Sequence, residues 1–330
     1  MKRRHFVLAS LGLLSLTKQV LSSVQTLQTA VVLDDGFSAH QISASHPESP
    51  ARYEALEHVL QESGWLKHLH TIKPWSSEDT EPWLTSVHSQ QHITSIQQQS
   101  DDTYHNVLLA TGGCLAAVDA VMSGQVRNAF CASRPPGHHA LNTGREEGFC
   151  YFNHIAVAAR YAQQKHAVSR VLIIDWDYHH GNGTEWAFYE DPSVLFFSTH
   201  DQFAYPGTGS PSRQGTGAGM GYNINVHLEC GSNEADVIDA FEKKLRPAVE
   251  KFKPEFILVS AGFDSRVDDL LGCFTISDGG FAQLTQWVMQ LAEDYCDGRL
   301  VSILEGGYSL QGNAQAARAH LLALSGKSDS

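Results

Sequence analysis

The stretch Val171-Leu-Ile-Ile-Asp-Trp-Asp-Tyr-His-His-Gly-Asn-Gly183 joins a short apolar run to a dense group of polar side chains. Residues 171–174 have the length and the apolar composition of a buried strand. The acidic and histidine residues follow at once, so they lie where that strand would end. The same arrangement recurs along the chain, and it predicts the fold.

Short apolar runs alternate with longer segments whose apolar residues have helical spacing. The predicted strands are residues 30–33, 128–132, 171–174, 194–198, 256–260 and 300–304, with 222–226 as a further candidate. The predicted helices are residues 51–63, 108–123, 154–165, 234–252, 281–294 and 314–324. This alternation predicts an open α/β fold with a mainly parallel sheet and helices on both faces. No linker-like stretch divides residues 24–330, so we expect a single domain there.

Three further polar clusters follow predicted strands. They are Ser133-Arg-Pro-Pro-Gly-His-His-Ala140, Ala261-Gly-Phe-Asp-Ser265 and Glu305-Gly-Gly-Tyr308. In open α/β sheets, ligands bind beyond the carboxyl ends of the strands. We therefore expect these clusters, which are distant in sequence, to share one rim of the sheet.

Asp175, Asp177 and His179 recur at every second position, so they face one side if the strand continues. A buried row of two carboxylates and an imidazole is costly without a compensating cation. Asp177 and His179 offer one oxygen and one nitrogen ligand, and Asp264 is the best candidate for a third. Three protein ligands leave a coordination position open, as in a catalytic zinc site. The alternative is a hydrogen-bonded strand end without a metal.

The pair His138-His139 follows a rigid Pro-Pro-Gly turn and could supply a general base with a partner. Asp175 is the natural orienting group for one of the two rings. Tyr308 follows two glycines, and its phenol could donate a hydrogen bond to a developing oxyanion. The alternatives are ordinary surface histidines and a packed loop tyrosine.

The charge balance is acidic, with 23 Lys+Arg against 36 Asp+Glu. It argues against nonspecific nucleic-acid binding, which needs a basic face. An acidic surface could attract cationic substrates, or it could serve solubility alone. None of the six cysteines forms a C-x-x-C pair, so we expect free, buried thiols at Cys114, Cys131, Cys150, Cys230, Cys273 and Cys296.

The N-terminus has a basic group, Lys2-Arg3-Arg4, before an apolar run at residues 6–16. That run is too short to span a bilayer as a helix, so we expect no stable membrane span there. The pattern is typical of a secretory signal, and the adjacent arginines resemble a twin-arginine export signal. We expect residues 1–23 to be an export leader and the protein to be periplasmic. The alternative is an uncleaved leader on a cytoplasmic enzyme.

Five ordered motifs carry a family resemblance: R-P-P-G-H-H-A, G-F-C-Y-F-N-H, D-W-D-Y-H-H-G-N-G-T, S-A-G-F-D-S and L-E-G-G-Y-S. Together they resemble the histone deacetylase superfamily, in particular its class II branch and the bacterial deacetylase-like and acetylpolyamine amidohydrolases. The similarity runs from about residue 46 to residue 324. It implies an arginase-like fold and zinc-dependent hydrolysis of acyl-lysine in peptides or proteins. The alternatives are an acetylpolyamine hydrolase, a non-catalytic acyl-amine binding protein and a dimanganese hydrolase.

The resemblance also implies roles for individual residues. It matches the zinc ligands to Asp177, His179 and Asp264. It matches the catalytic groups to His138, His139, Tyr308, Asp175 and Asn182, where Asn182 is an amide beside the second histidine. It places a substrate channel at Gly148, Phe149, Tyr205 and Leu271.

The family also binds a monovalent cation, usually potassium. The resemblance assigns a first site to Asp175, Asp177, His179, Ser198 and Thr199. A second site would use Phe188, Asp191, Val194 and Tyr222.

Overall fold

The computed structural model describes residues 28–327, so the predicted export leader lies outside the described residues and stays a prediction. Within this range, eight strands form one sheet in which every neighbouring pair is parallel. The strands are β1 (Thr29–Val32), β2 (His70–Ile72), β3 (Asn128–Cys131), β4 (Val171–Asp175), β5 (Val194–His200), β6 (Asn223–His227), β7 (Phe256–Ala261) and β8 (Leu300–Leu304). Their spatial order is β2-β1-β3-β8-β7-β4-β5-β6.

Helices surround this sheet in the described range. They are α1 (Pro50–Glu62), α2 (Ser77–Leu84), α3 (Gln90–Gln97), α4 (Asp101–Met122), α5 (His154–His166), α6 (Asn182–Phe188), α7 (Glu234–Ala240), α8 (Arg246–Phe252), α9 (Asp278–Cys296) and α10 (Leu310–Leu324). One group, α1, α9 and α10, packs together, and α4 packs with α2 and α5. The predicted α/β fold with helices on both faces of a parallel sheet is confirmed.

The central strands β3, β8, β7 and β4 are buried along their whole length, as their apolar sequences predict. Helix α4 is apolar enough to meet the length and composition of a membrane span, with a mean hydropathy of 1.3. However, 78% of its apolar window is buried inside the protein, where it packs on β3 and β8. The apolar residues of α4 therefore form part of the protein core.

The predicted helix 234–252 is divided in the structure. Helix α7 is followed by a π-helical turn, Phe241–Leu245, and then by α8. Pro247 lies in the first turn of α8, and it has no N–H to continue the α-helical ladder. The wider turn before it accommodates that missing donor.

Four short elements were not predicted: β2, α2, α3 and α6. Strand β2 has only three residues and lies at the edge of the sheet. Helices α2 and α3 have eight residues each, too few for a clear apolar period. Their starts are set locally, because Ser76 and Ser89 accept hydrogen bonds from backbone N–H groups in the first turn.

The expectation of six free thiols is wrong for two residues, because Cys230 and Cys273 form a disulfide. The turn after β6 and the loop after β7 meet there, and Gly231 N donates to Cys273 O at 2.9 Å. The partners are 43 residues apart in sequence, so their spacing gave no sign of the pairing. The other four cysteines are free and buried.

A buried ionic cluster joins the start of α1 to the segment after β3. The carboxylate of Glu48 accepts two hydrogen bonds from Arg134, each 2.7 Å long, and one from Arg52 at 3.2 Å. All three side chains are almost completely buried. Burial raises the pKa of Glu48, but Arg134 and Arg52 lower it more, so the group stays ionised at neutral pH.

We expect Glu48→Gln to lower the free energy of unfolding by about 3–5 kcal/mol, because both guanidinium groups would lose their buried counter-charge. Chemical denaturation followed by circular dichroism measures this change. The control is Asp239→Asn, which breaks the exposed Asp239–Lys243 pair and should alter stability little. Equal losses in the two variants would contradict a structural role for the Glu48 cluster.

Candidate active site

Four strand ends meet at the carboxyl rim of the sheet. The neighbouring strands β3, β8, β7 and β4 bring His138-His139, Tyr308, Asp264 and Asp175 to this rim. The sequence predicted that these clusters share one edge, and the structure places them there.

The predicted ligand triad is Asp177, His179 and Asp264. One ligand atom from each lies within 4.8 Å of the others. The Nδ1 atom of His179 is 3.0 Å from Asp264 Oδ2 and 3.2 Å from Asp177 Oδ1. Both carboxylates are fully buried, whereas the imidazole remains 12% exposed. The three ligand atoms thus lie close enough together to hold one cation.

Backbone N–H groups hold the carboxylates of the triad in place. Asp177 Oδ2 accepts from Gly306 N at 2.9 Å, and Asp264 Oδ1 accepts from Tyr178 N at 2.8 Å. Burial, and then the charge of Asp177, raise the pKa of Asp264 to about 7. A divalent cation at the triad would remove this penalty by compensating the two negative charges.

The two histidines differ in their partners. His138 Nδ1 lies 3.0 Å from Asp175 Oδ2. Burial lowers the pKa of His138, but Asp177 and then Asp175 raise it more, so the value lies well above the usual range. The two carboxylates therefore favour the protonated form of the ring.

His139 Nδ1 lies 2.8 Å from Asn182 Oδ1. Since the amide oxygen can only accept, Nδ1 carries the proton and Nε2 is left with a free lone pair. Burial, and then the charges of His138 and His179, hold the pKa of His139 well below its usual value. The ring is therefore a neutral base at physiological pH.

Tyr308 is 5% exposed, and burial raises the pKa of its phenol well above the usual value. The side chain is therefore a neutral hydrogen-bond donor. Arg52 lies over the ring at 4.9 Å, and it donates to the carbonyl oxygens of Glu305 and Gly307, both at 2.6 Å. Gly307 has a φ of +127°, a conformation that favours glycine.

Aromatic rings line the approach to these groups. The Phe149 ring lies 5.7 Å from the Tyr308 ring, and the Tyr205 ring lies 5.0 Å from His139. A Cβ atom at Gly148 would come within 2.5 Å of the His139 ring and 2.7 Å of the Tyr205 ring. Glycine at position 148 therefore lets the channel walls approach each other. Leu271 is 40% exposed in the loop after Asp264.

Comparison with known proteins identifies the family of the chain and supports its fold. The profile of the "Histone deacetylase domain" family matches residues 46–324. The chain belongs to the histone deacetylase family. The family inferred from the five sequence motifs is thereby confirmed.

Curated and solved relatives of this family member cover most of its length. A "Probable deacetylase" of Archaeoglobus fulgidus is 36% identical over 86% of this chain and 82% of that protein. "Histone deacetylase 14, chloroplastic" of Arabidopsis thaliana is 34% identical over 93% of this chain and 80% of that protein. The crystal structure of the HDA15 HD domain has a TM-score of 0.83 and 34% identity, and it covers 90% of this chain and 91% of that one. The HDA15 domain thus shares its fold with this chain, and the two curated relatives match this chain over most of their length.

The residues matched to monovalent-cation sites fall in two places. In the first group, Asp175 and Ser198 are register partners on β4 and β5. In the second group, Asp191 pairs with Arg160 at 2.6 Å, and the same arginine lies over the Phe188 ring. Both potassium sites stay predictions for this histone deacetylase family member.

Glu305 belongs to the site, although no role was predicted for it from the sequence. Its buried carboxylate accepts from Gly137 N at 2.7 Å and from His138 N at 3.1 Å. Burial raises its pKa to about 7. Glu305 thus ties the end of β8 to the turn that carries both histidines. The sequence feature that could have predicted this role is the position of Glu305 directly before Gly306-Gly307-Tyr308.

We expect Asn182→Asp to move the acidic limb of the pH profile of kcat/KM to higher pH. A carboxylate against Nδ1 favours the protonated ring, so the pKa of His139 rises and the base is lost earlier on acidification. Initial rates between pH 5 and pH 9 measure this shift.

The matched control is Asn142→Asp, because Asn142 Oδ1 contacts His88 Nδ1 at 3.1 Å in the same way. His88 lies outside the catalytic set, so this variant should keep the wild-type profile. An unchanged profile in Asn182→Asp would show that His139 does not set the acidic limb.

Proposed function

We propose that the protein is a zinc-dependent deacetylase that hydrolyses N-acyl amines, with acetyl-lysine in peptides or proteins as its substrate class. One observation carries the proposal. The ligand triad, a neutral histidine base and a neutral phenol donor converge at one rim in a chain of the histone deacetylase family.

The chemistry of the triad suits zinc. Two carboxylate oxygens and one imidazole nitrogen are ordinary zinc ligands, and three protein ligands are the usual number in a catalytic site. Tetrahedral zinc places its ligand atoms roughly 3.3 Å apart. The separations of 3.0 and 3.2 Å from His179 Nδ1 are close to this spacing. When bound, zinc would polarise the acyl carbonyl and lower the pKa of water at the site.

Side chains of the protein would supply the proton acceptor, the hydrogen-bond donor and the proton donor of the reaction. His139 accepts a proton through Nε2, because Asn182 holds the other ring nitrogen protonated. Tyr308 donates a hydrogen bond from its hydroxyl group to the carbonyl oxygen as negative charge develops there. His138 is paired with Asp175, whose carboxylate favours the protonated ring, and this makes the histidine pair a source of the proton that the departing amine requires.

The shape of the approach supports a linear acyl-amine substrate. Phe149 and Tyr205 present aromatic rings on two sides of the histidine–tyrosine group. Leu271 contributes an uncharged side chain to the loop after Asp264, which favours an acyl-lysine over a second cationic amine at that point. The net charge of −13 would attract either a lysine-rich peptide or a polyamine.

We also propose a potassium ion at the first cation site, beside the triad. The support is the register pairing of Asp175 with Ser198 at the ends of β4 and β5. A potassium titration of turnover in a sodium-free buffer tests this part of the proposal.

We expect Asp264→Ala to lose both bound zinc and deacetylase activity, because the triad would keep only two ligands. Elemental analysis of the purified protein and turnover of an acetyl-lysine peptide measure the two effects. Full zinc occupancy in this variant would show that Asp264 is not a ligand. Two manganese ions in the wild-type protein would indicate a dimanganese hydrolase instead.

We expect Tyr308→Phe to reduce kcat by about a hundredfold or more while zinc content stays unchanged, because only the oxyanion donor is removed. The control is Tyr295→Phe, which removes a hydroxyl from the C-terminal end of α9, away from the rim. Near-normal turnover in Tyr308→Phe would remove the phenol from the mechanism.

Parallel assays decide the substrate class. We expect kcat/KM to be highest for acetyl-lysine peptides in a panel with longer acyl-lysines, acetylputrescine and acetylspermidine. Higher values for the acetylpolyamines would identify a polyamine hydrolase with the same chemistry. A zinc-loaded protein that binds the panel without turnover would be a binding protein.

A further inference from the structure

We propose that Asp269 is a positioning residue that fixes Tyr308, and that it links this tyrosine to the loop at the entrance of the site. The proposal rests on the deacetylase function for its kinetic consequence. The contact itself is independent of the reaction that the site performs.

The loop after Asp264 reaches across to the tyrosine. Asp269 Oδ2 accepts a hydrogen bond from Tyr308 N at 2.7 Å and a second from Ser309 N at 3.0 Å. Its other oxygen, Oδ1, accepts from Leu271 N at 2.9 Å. One carboxylate therefore holds the backbone of Tyr308 and the backbone of the exposed loop residue Leu271.

The segment that carries Tyr308 needs an acceptor from outside. Ser309 is the N-cap of α10, but its side chain makes no capping hydrogen bond. The first N–H groups of a helix have no partners within the helix, and a carboxylate near them is favourable. Asp269 fills this role from another loop. It does so one residue after Gly307, whose φ of +127° is a conformation that favours glycine.

The loop has its own anchors, so it can act as a firm support. Asp268 adopts a φ of +64°, which turns the backbone just before Asp269. Further along, the disulfide between Cys230 and Cys273 ties the loop to the turn after β6. Thr275 N also donates to Ser232 O at 2.7 Å. Because the loop is anchored on both sides of Asp269, this carboxylate can fix the position of the Tyr308 backbone as well as stabilise it.

Three side chains restrain the backbone at Tyr308 and at the two glycines before it. Asp177 holds Gly306 N, and Arg52 holds Gly307 O. Asp269 alone among these three groups holds the amide of Tyr308 itself. Without it, the phenol should sample positions away from the carbonyl oxygen while the ligand triad stays intact.

A double-mutant cycle on the zinc-loaded full chain tests this inference. We expect Asp269→Ala to lower kcat by about tenfold with unchanged zinc content, because misplacement of a catalytic group is costly. In a Tyr308→Phe background, the same change should lower kcat much less, since the group that Asp269 positions is already gone. Equal fold-losses in the two backgrounds would overturn the inference, because Asp269 would then act independently of the phenol.

Two further variants separate positioning from simple destabilisation. Asp269→Asn keeps one acceptor oxygen for Tyr308 N, so it should retain more kcat than Asp269→Ala. Asp268→Asn removes the same charge from the neighbouring exposed residue and should keep wild-type kcat. A fall in melting temperature without any change in kcat below the transition would show a structural cap only, and would also overturn the inference.

Hydrogen exchange provides a readout that needs no turnover. Amides in the peptide 305–311 should exchange faster in Asp269→Ala than in wild type, and Asp268→Asn should match wild type. If wild type has no deacetylase activity, the proposed function fails, and the exchange result still decides whether Asp269 holds Tyr308. Unchanged exchange in Asp269→Ala would refute the contact.

Discussion

The burial of carboxylates side by side at the ends of β4 and β7 is the constraint on which the site depends. Asp175, Asp177 and Asp264 are fully buried, and charges of one sign are costly in such a place. The surrounding structure compensates them with the cationic ring of His138 and with backbone N–H groups that point at the carboxylates. The donor set that remains, Asp177, His179 and Asp264, could hold a metal cation.

The same charge compensation affects the pKa values of the two neighbouring histidines and the position of Tyr308. Burial, and then the charge of His138, lower the pKa of His139, whereas the neighbouring carboxylates raise the pKa of His138 despite its burial, so the two rings favour different protonation states. Gly306 donates to Asp177 Oδ2 only two residues before Tyr308. The electrostatics of the metal ligands and the placement of the phenol are therefore parts of one arrangement.

The sequence predicted the parts of this arrangement that depend on local pattern. The strand ends, the triad, the histidine pair and Tyr308 follow short apolar runs, and parallel strands must bring their carboxyl ends to one edge. It missed contacts made by side chains that reach across the fold. Glu305 supports the histidine turn, Asp269 supports the tyrosine, and Arg52 grips carbonyl oxygens more than 250 residues away in sequence. The disulfide was missed for the same reason, because nothing in the local sequence of Cys230 indicates its partner.

The strand order has a consequence for how the chain is made. Strand β8 is the last strand along the described residues, yet it lies in the middle of the sheet between β3 and β7. Until the ribosome has delivered it, the strands β2-β1-β3 and β7-β4-β5-β6 share no backbone hydrogen bonds across that gap. A nascent chain that ends before β8 already contains all three ligands, but not Glu305 or Tyr308. The residues of the candidate metal triad are thus synthesised before the protein can close its sheet and before it contains the phenol of Tyr308.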